Sequence, residues 1–212
     1  MKYAGMPAGM WMLFRRSFQK QLVETLGLQE QKAKDITQQA KVKYKQIIEY
    51  LPTFEKEDRF LMNIVSCAMF SAFCLQIDPG TSVETMTTYY RKAMMTKPMM
   101  AFCRMSGKNK FTENDIKNLK ETAALEAAER NPYSWNMEFY PYKDHSGYEA
   151  RFTKCGICTL MRELGIEQWI PAMCHLDYTM SEAGGTSDFV RKYTLASGGP
   201  YCDCGYKKKI KV

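Results

Sequence analysis

Read as a pattern of apolar and polar positions, the chain begins with a long helical stretch. Trp11, Phe14, Phe18, Leu22 and Leu26 recur at steps of three and four, which predicts an amphipathic helix over residues 11–28 that ends near Gly27. Ala33, Ile36, Ala40, Tyr44, Ile47 and Leu51 mark one side of a second helix over residues 29–50, stopped by Pro52. The run FLMNIVSCAMFSAFCLQI, residues 60–77, is apolar on every side. Asn63, Ser66, Ser71 and Gln76 interrupt it, so it reads as a centrally buried helix and not as a membrane span. Asp78-Pro79-Gly80 is a turn, after which Thr81 and Glu84 suggest a capping box opening a helix over residues 82–96. The Met-rich stretch from Met94 to Met105 is assigned to core packing, because methionine fills irregular gaps. Thr112-x-x-Asp115 caps a further helix that runs through Ala128 until Asn131-Pro132 ends it.

Beyond Pro132 the period drops from near 3.6 to two. Trp135 to Tyr142 and Tyr148 to Cys155 read as two strands joined by the turn at residues 143–147. A short helix follows from Ile157 to Leu164, closed by Gly165, and then another from Glu167 to Ser181 with Pro171 in its first turns. Gly184-Gly185 breaks the chain, and Phe189 to Ala196 and Tyr201 to Lys208 form two more strands around Ser197-Gly198-Gly199-Pro200. The expected fold class is therefore α+β. A helical N-terminal two-thirds, residues 1–132, packs with a C-terminal four-stranded antiparallel sheet carrying two helices, residues 133–212, in one continuous domain.

Charge changes this picture little. The formal charge is +7, but Lys207, Lys208, Lys209 and Lys211 crowd the last six residues, and +7 less these four leaves +3. Neither a base-stacking motif nor a recognition-helix pattern accompanies them, so the chain is not expected to bind nucleic acid or a membrane. The opening MKYAGMPAGMWMLFRRSF is apolar and then basic, the reverse of a secretory signal, so a cytoplasmic protein is expected. The amphipathic first helix is equally suited to its own core or to a second subunit, so a homo-oligomer is possible.

The cysteines change it more. Of eight, Cys155, Cys158, Cys174, Cys202 and Cys204 fall within fifty residues, and in a chain without an export signal they read as thiols, ligands or catalytic groups and not as a disulfide framework. Cys67 and Cys74, seven apart on the apolar helix, read as small buried hydrophobes. On the helix from Glu167, Cys174 and Asp177 are three apart and share a face, their Cβ atoms about 5–6 Å apart. His175 points about 100° away from Cys174 and is no natural partner for it; His145 lies in a turn. Strand alternation puts Cys202 and Cys204 on one face and Asp203 on the other. Arg191 sits between Phe189 and Tyr193, where a carboxylate is expected to hold it: Asp177, Asp203 or one on a substrate. Cys155-x-x-Cys158 opens a helix and suits redox or metal chemistry. With Cys174 and Cys202 it supplies enough thiols for zinc or an iron–sulfur cluster, although the C-x-C spacing at Cys202 fits no zinc ribbon.

The run from Phe152 to Tyr206, FTKCGICTLMRELGIEQWIPAMCHLDYTMSEAGGTSDFVRKYTLASGGPYCDCGY, resembles the L-2-amino-thiazoline-4-carboxylic acid hydrolase family. That family opens this region with a Cys, places Cys-x-x-Asp on the next helix, and runs an Arg-x-x-Thr-Leu-x-x-Gly segment to a Cys-Asp pair. Here those are Cys155, Cys174 to Asp177, Arg191 to Gly198, and Cys202-Asp203. Cys204 departs from the aromatic usual after that pair, which bears on the pocket wall. The resemblance implies a hydrolase that opens a cyclic amidine-like ring on a small carboxylate-bearing substrate, giving an N-carbamoyl amino acid without a cofactor. It implies Cys174 as nucleophile, Asp177 as general acid/base or orienter and Arg191 as carboxylate anchor. Cys202 belongs with the catalytic set, and Cys155 and Asp203 with the substrate-binding one. The competing expectation is a metal protein of redox or sensing type, with Cys155, Cys174 and Cys202 as ligands to zinc or an iron–sulfur cluster.

Overall fold

The computed structural model describes residues 2–55, 58–128 and 130–210; Lys211, one of the tail lysines, lies outside them. Eight α-helices and one four-stranded antiparallel sheet make up these residues, an α+β fold with the helices mostly N-terminal. Helix α1, Met6–Glu24, buries Trp11, Phe14, Phe18 and Leu22, and α2, Glu30–Tyr50, buries Ala33, Ile36, Ala40, Tyr44 and Ile47, the stripes their periodicity predicts. Helix α3, Leu61–Cys74, is enclosed on nearly all sides. Trp11 and Phe18 stack on Phe73 at centroid separations of 5.8 and 4.8 Å, and α1, α2 and α3 pack on one another. Burying these large rings supplies the main driving force for the helical part. No helix among the described residues is long and apolar enough to cross a membrane.

Two local expectations need correction. Helix α4, Val83–Met94, is capped by Ser82, whose hydroxyl accepts the Thr85 N–H at 3.1 Å. Thr81 instead offers its carbonyl to the Trp169 indole at 3.0 Å, so tertiary packing pulls it out of the capping role. The Met-rich stretch is itself largely helical: Thr96 caps α5, Lys97–Asn109, with Pro98 in its first turn, where a missing N–H costs nothing. Met94 is buried and Met99 half-buried, but Phe102 and Met105 are exposed, so only part of this stretch fills the core. Helix α6, Glu113–Leu125, is capped by Thr112 as expected, and Asp115 returns the bond by accepting the Phe111 N–H at 2.7 Å.

Strands β1, Asn136–Pro141, and β2, Gly147–Lys154, form a hairpin. Helices α7, Gly156–Glu163, and α8, Ile170–Gly184, follow, then β3, Ser187–Val190, and β4, Cys202–Lys208. A single 3-10 turn over Glu167–Trp169 precedes α8, whose second residue is Pro171. The sheet order is β1-β2-β4-β3. The register sets Cys202 opposite Phe152, Cys204 opposite Ala150, and Tyr206 opposite Tyr148 on one side and Phe189 on the other. These residues share the inner face, which meets α8 along β3 and α6 along β1. Helix α8 also packs on α4 and α5 and thereby ties the helical core to the sheet. Its crossing with α5 is close because a side chain at Gly107 would collide with the Gly184 backbone.

Candidate functional site

The site lies where the start of α7, the middle of α8 and the inner face of β4 converge. Cys155 ends the β2 segment in extended geometry and is the N-cap residue of α7. A helix N-terminus presents unsatisfied N–H groups and a partial positive charge. The Cys155 sulfur makes no side-chain capping bond, but it lies beside the Cys158 thiol, the backbone N–H groups of Cys158 and Ile157, and the Trp135 side chain. Led by the Cys158 thiol, these neighbours offset burial and lower the Cys155 pKa to about 7. Gly156 permits the arrangement, because a Cβ there would run into the Tyr133 carbonyl and Trp135 ring that must lie against the start of the helix. Cys158 is buried, and the neighbouring Cys155 sulfur together with burial holds it as a thiol.

Cys174 and Asp177 share one face of α8, as their spacing requires, and both are half-buried. Burial pushes the Cys174 thiol well up, so it is protonated at neutral pH. Burial also raises the Asp177 pKa, against the opposing pull of Arg191 and Lys110. Yet Asp177 keeps 39% of its side-chain surface accessible.

Arg191 ties this part of α8 to β4. Its guanidinium donates to Asp177 Oδ2 at 2.6 Å, to the Cys174 carbonyl at 2.9 Å and to Cys204 Sγ at 2.8 Å, and its side chain is only 6% accessible. It also lies 4.6 Å from the Phe189 ring centroid. Of the carboxylates considered for it, the partner is Asp177. The expectation that Arg191 lies on a strand between Phe189 and Tyr193 is corrected: β3 ends at Val190. Asp203 is the reason, since its carboxylate accepts the N–H groups of Lys192 at 2.8 Å and Tyr193 at 2.6 Å and draws that backbone out of the ladder. Thr194 then caps a 3-10 turn over Leu195–Ser197.

Strand alternation keeps Asp203 on the outer face, away from the thiols. There, with Glu149, Lys192 and Lys207, it lines an open groove of about 630 Å³. Cys202 and Cys204 are buried on the inner face. Burial raises both thiols, Cys204 to about 12, and Cys202 Sγ accepts the Leu195 N–H at 3.2 Å. Cys155, Cys158, Cys174 and Cys202 lie close enough to feel one another's charge. Among the described residues, no group of three or more His, Cys, Asp or Glu is arranged to hold a metal ion. His175 is exposed beside Tyr178, and His145 sits in the β1–β2 turn at φ 57°; neither joins the thiols.

Several neighbours carry no local signal in the sequence. Cys67 on α3 reaches electrostatic range of Cys155 and Cys174, and Trp135 contacts Cys155. Tyr206 continues the Cys202–Cys204 alternation, so the period of two pointed to its face. Lys110, in the α5–α6 connection, lies 3.3 Å from the Tyr206 ring centroid and within range of Asp177. Burial depresses its pKa from 10.5 to about 8. The charged form is thus disfavoured in the folded state below pH 8, where the unfolded chain carries the same charge at no cost. Lys110→Met is expected to stabilise the protein by about 2 kcal/mol at pH 7, with the gain shrinking above pH 8 and gone beyond 10.5. Urea unfolding at pH 7 and at pH 10 would check this; equal gains at both would refute it.

Thiols, a carboxylate and a guanidinium are thus gathered between a sheet face and two helices. The chain belongs to the L-2-amino-thiazoline-4-carboxylic acid hydrolase family, whose model matches residues 62–206 and so takes in nearly all of α3, the sheet as far as Tyr206, and the gathered cysteines with Asp177 and Arg191. Searches of the curated proteins and of the solved structures returned no match.

Proposed function

We propose that this protein hydrolyses a small cyclic amidine-like ring, 2-aminothiazoline-4-carboxylate or a related heterocycle, to an N-carbamoyl amino acid, with Cys155 as the nucleophile. The observation that carries this reading is the Cys155 sulfur at the N-terminus of α7, with its pKa lowered to about 7 while burial raises Cys174 and Cys202. The thiolate is the reactive form of cysteine, so Cys155 takes the role that the resemblance implies for Cys174.

The Cys155 thiolate adds to the ring carbon between nitrogen and sulfur, and the ring C–S bond breaks to release the substrate's own thiolate. The amidine carbon is then joined to Cys155 through sulfur. Water adds to that carbon, the bond to Cys155 breaks, and the product leaves as the N-carbamoyl compound. Cys174, held as a thiol, and Asp177, its pKa raised, are the proton carriers for the two steps. Arg191 holds Asp177 in place, and with Lys110 it supplies the positive field for a substrate carboxylate. No cofactor enters this scheme.

Incubation with 2-aminothiazoline-4-carboxylate, with N-carbamoylcysteine followed by mass spectrometry, tests it. Turnover is expected, with kcat/KM rising through about pH 7 as Cys155 ionises and level above it. Turnover without that acid limb would remove Cys155 as the nucleophile; no turnover of this ring or of its oxygen and nitrogen analogues would remove the hydrolase reading.

A further inference from the structure

We propose that Cys155 and Cys158 form a reversible dithiol–disulfide couple that exchanges with low-molecular-weight disulfides. The hydrolytic scheme gives Cys158 no chemical step, yet its position suits one. It is three residues after Cys155, in the first turn of α7, with its thiol beside the Cys155 sulfur. Residues so spaced in a first turn fall within the Cα separation of about 4.4–6.8 Å that a disulfide requires. Access differs in the order that exchange needs: Cys155 is half-buried, whereas Cys158 is buried. The N-terminus of α7 favours the Cys155 thiolate as attacking group and equally as leaving group, so reduction is assisted as well as oxidation.

The exchange balances as follows. The Cys155 thiolate attacks one sulfur of the small disulfide, whose S–S bond breaks and releases one thiolate. Cys158 then gives up its proton to solvent and attacks the Cys155 sulfur, releasing the second thiolate. Two protein thiols lose two electrons and two protons, and the small disulfide becomes two thiols. Where Cys155 is also the hydrolytic nucleophile, oxidation switches hydrolysis off. That consequence rests on the reading above; the couple itself does not.

The sequence makes the test direct, because trypsin cutting after Lys154 and Arg162 leaves both cysteines in one peptide, residues 155–162. Full-length protein equilibrated with oxidised glutathione, alkylated and digested is expected to yield that peptide unalkylated and lighter by two hydrogens, returning to the doubly alkylated form after dithiothreitol. Cys158→Ser is expected to stop at a glutathione adduct on Cys155. Full alkylation of both residues after oxidation, or a bond from Cys155 to Cys174 or Cys202 in its place, would overturn the couple. Hydrolysis measured on the same samples separates the two readings. Bond formation with activity lost and regained supports both. Bond formation with undiminished turnover removes the switch and Cys155 as nucleophile. Bond formation in a protein that hydrolyses nothing even when reduced leaves the couple standing and removes the hydrolase.

Discussion

Cys155→Ser is expected to lower kcat for ring opening by on the order of 10³-fold or more, with little loss of stability. A serine hydroxyl does not ionise near neutral pH, so the helix N-terminus that favours a thiolate here has no anion to act on. The fold should tolerate the change, because Cys155 is the N-cap of α7 and serine is among the preferred residues there. Cys174→Ser makes the comparison informative. Burial keeps that thiol protonated, so its replacement is expected to cost no more than about ten-fold, through proton transfer. Steady-state kinetics on the two variants with circular dichroism controls would decide. A larger loss at Cys174 than at Cys155 would return the nucleophile to Cys174, the position implied by the sequence motif.

Arg191→Met is expected to destabilise the protein by about 3 kcal/mol, a fall in Tm of roughly 6–12 °C for a chain of this length. The guanidinium is almost wholly enclosed and serves three acceptors on two elements, so its removal leaves Asp177 and the Cys174 carbonyl without their partner. The estimate is at the low end for a broken buried pair because Asp177 retains 39% of its side-chain surface. The deficit also has a direction in pH. Burial already raises the Asp177 pKa, and loss of the positive charge raises it further. Ionised Asp177 then weighs against folding, so the deficit is expected to be largest at and above neutral pH and to shrink on acidification, as Asp177 takes up a proton. Arg191→Lys is expected to recover only part of the loss, since a single ammonium cannot span the same acceptors. Thermal unfolding of both variants between pH 5 and pH 8 would check this; a deficit that grows on acidification would show that Asp177 is not the group left unpaired.

The elements that could be read from the chain were those whose burial follows from their own periodicity. The stripes of α1 and α2, the apolar α3, and the alternation of Cys202 with Cys204 each needed only a neighbour of some kind to bury against. Boundaries set by other parts of the molecule were less legible. Helix α5 hid behind its methionines, since its buried residues Cys103 and Gly107 form no apolar stripe and Gly107 matters only because Gly184 crosses there. The third strand read as too long because nothing local announces that Asp203, ten and eleven residues later, takes the N–H groups of Lys192 and Tyr193.

At the site the division is similar. The sequence by itself determined which residues share a face: Cys174 with Asp177 on α8 and Cys202 with Cys204 on β4. Those pairings follow from helix and strand geometry and hold wherever the elements end up. Only the tertiary structure decided what each group does electrostatically, because a pKa depends on desolvation and on neighbours that are distant in sequence. It brought Trp135 to Cys155, enclosed Cys174, and joined Arg191 to Asp177. It also left Lys110, from the turn between two surface helices, with a depressed pKa beside them.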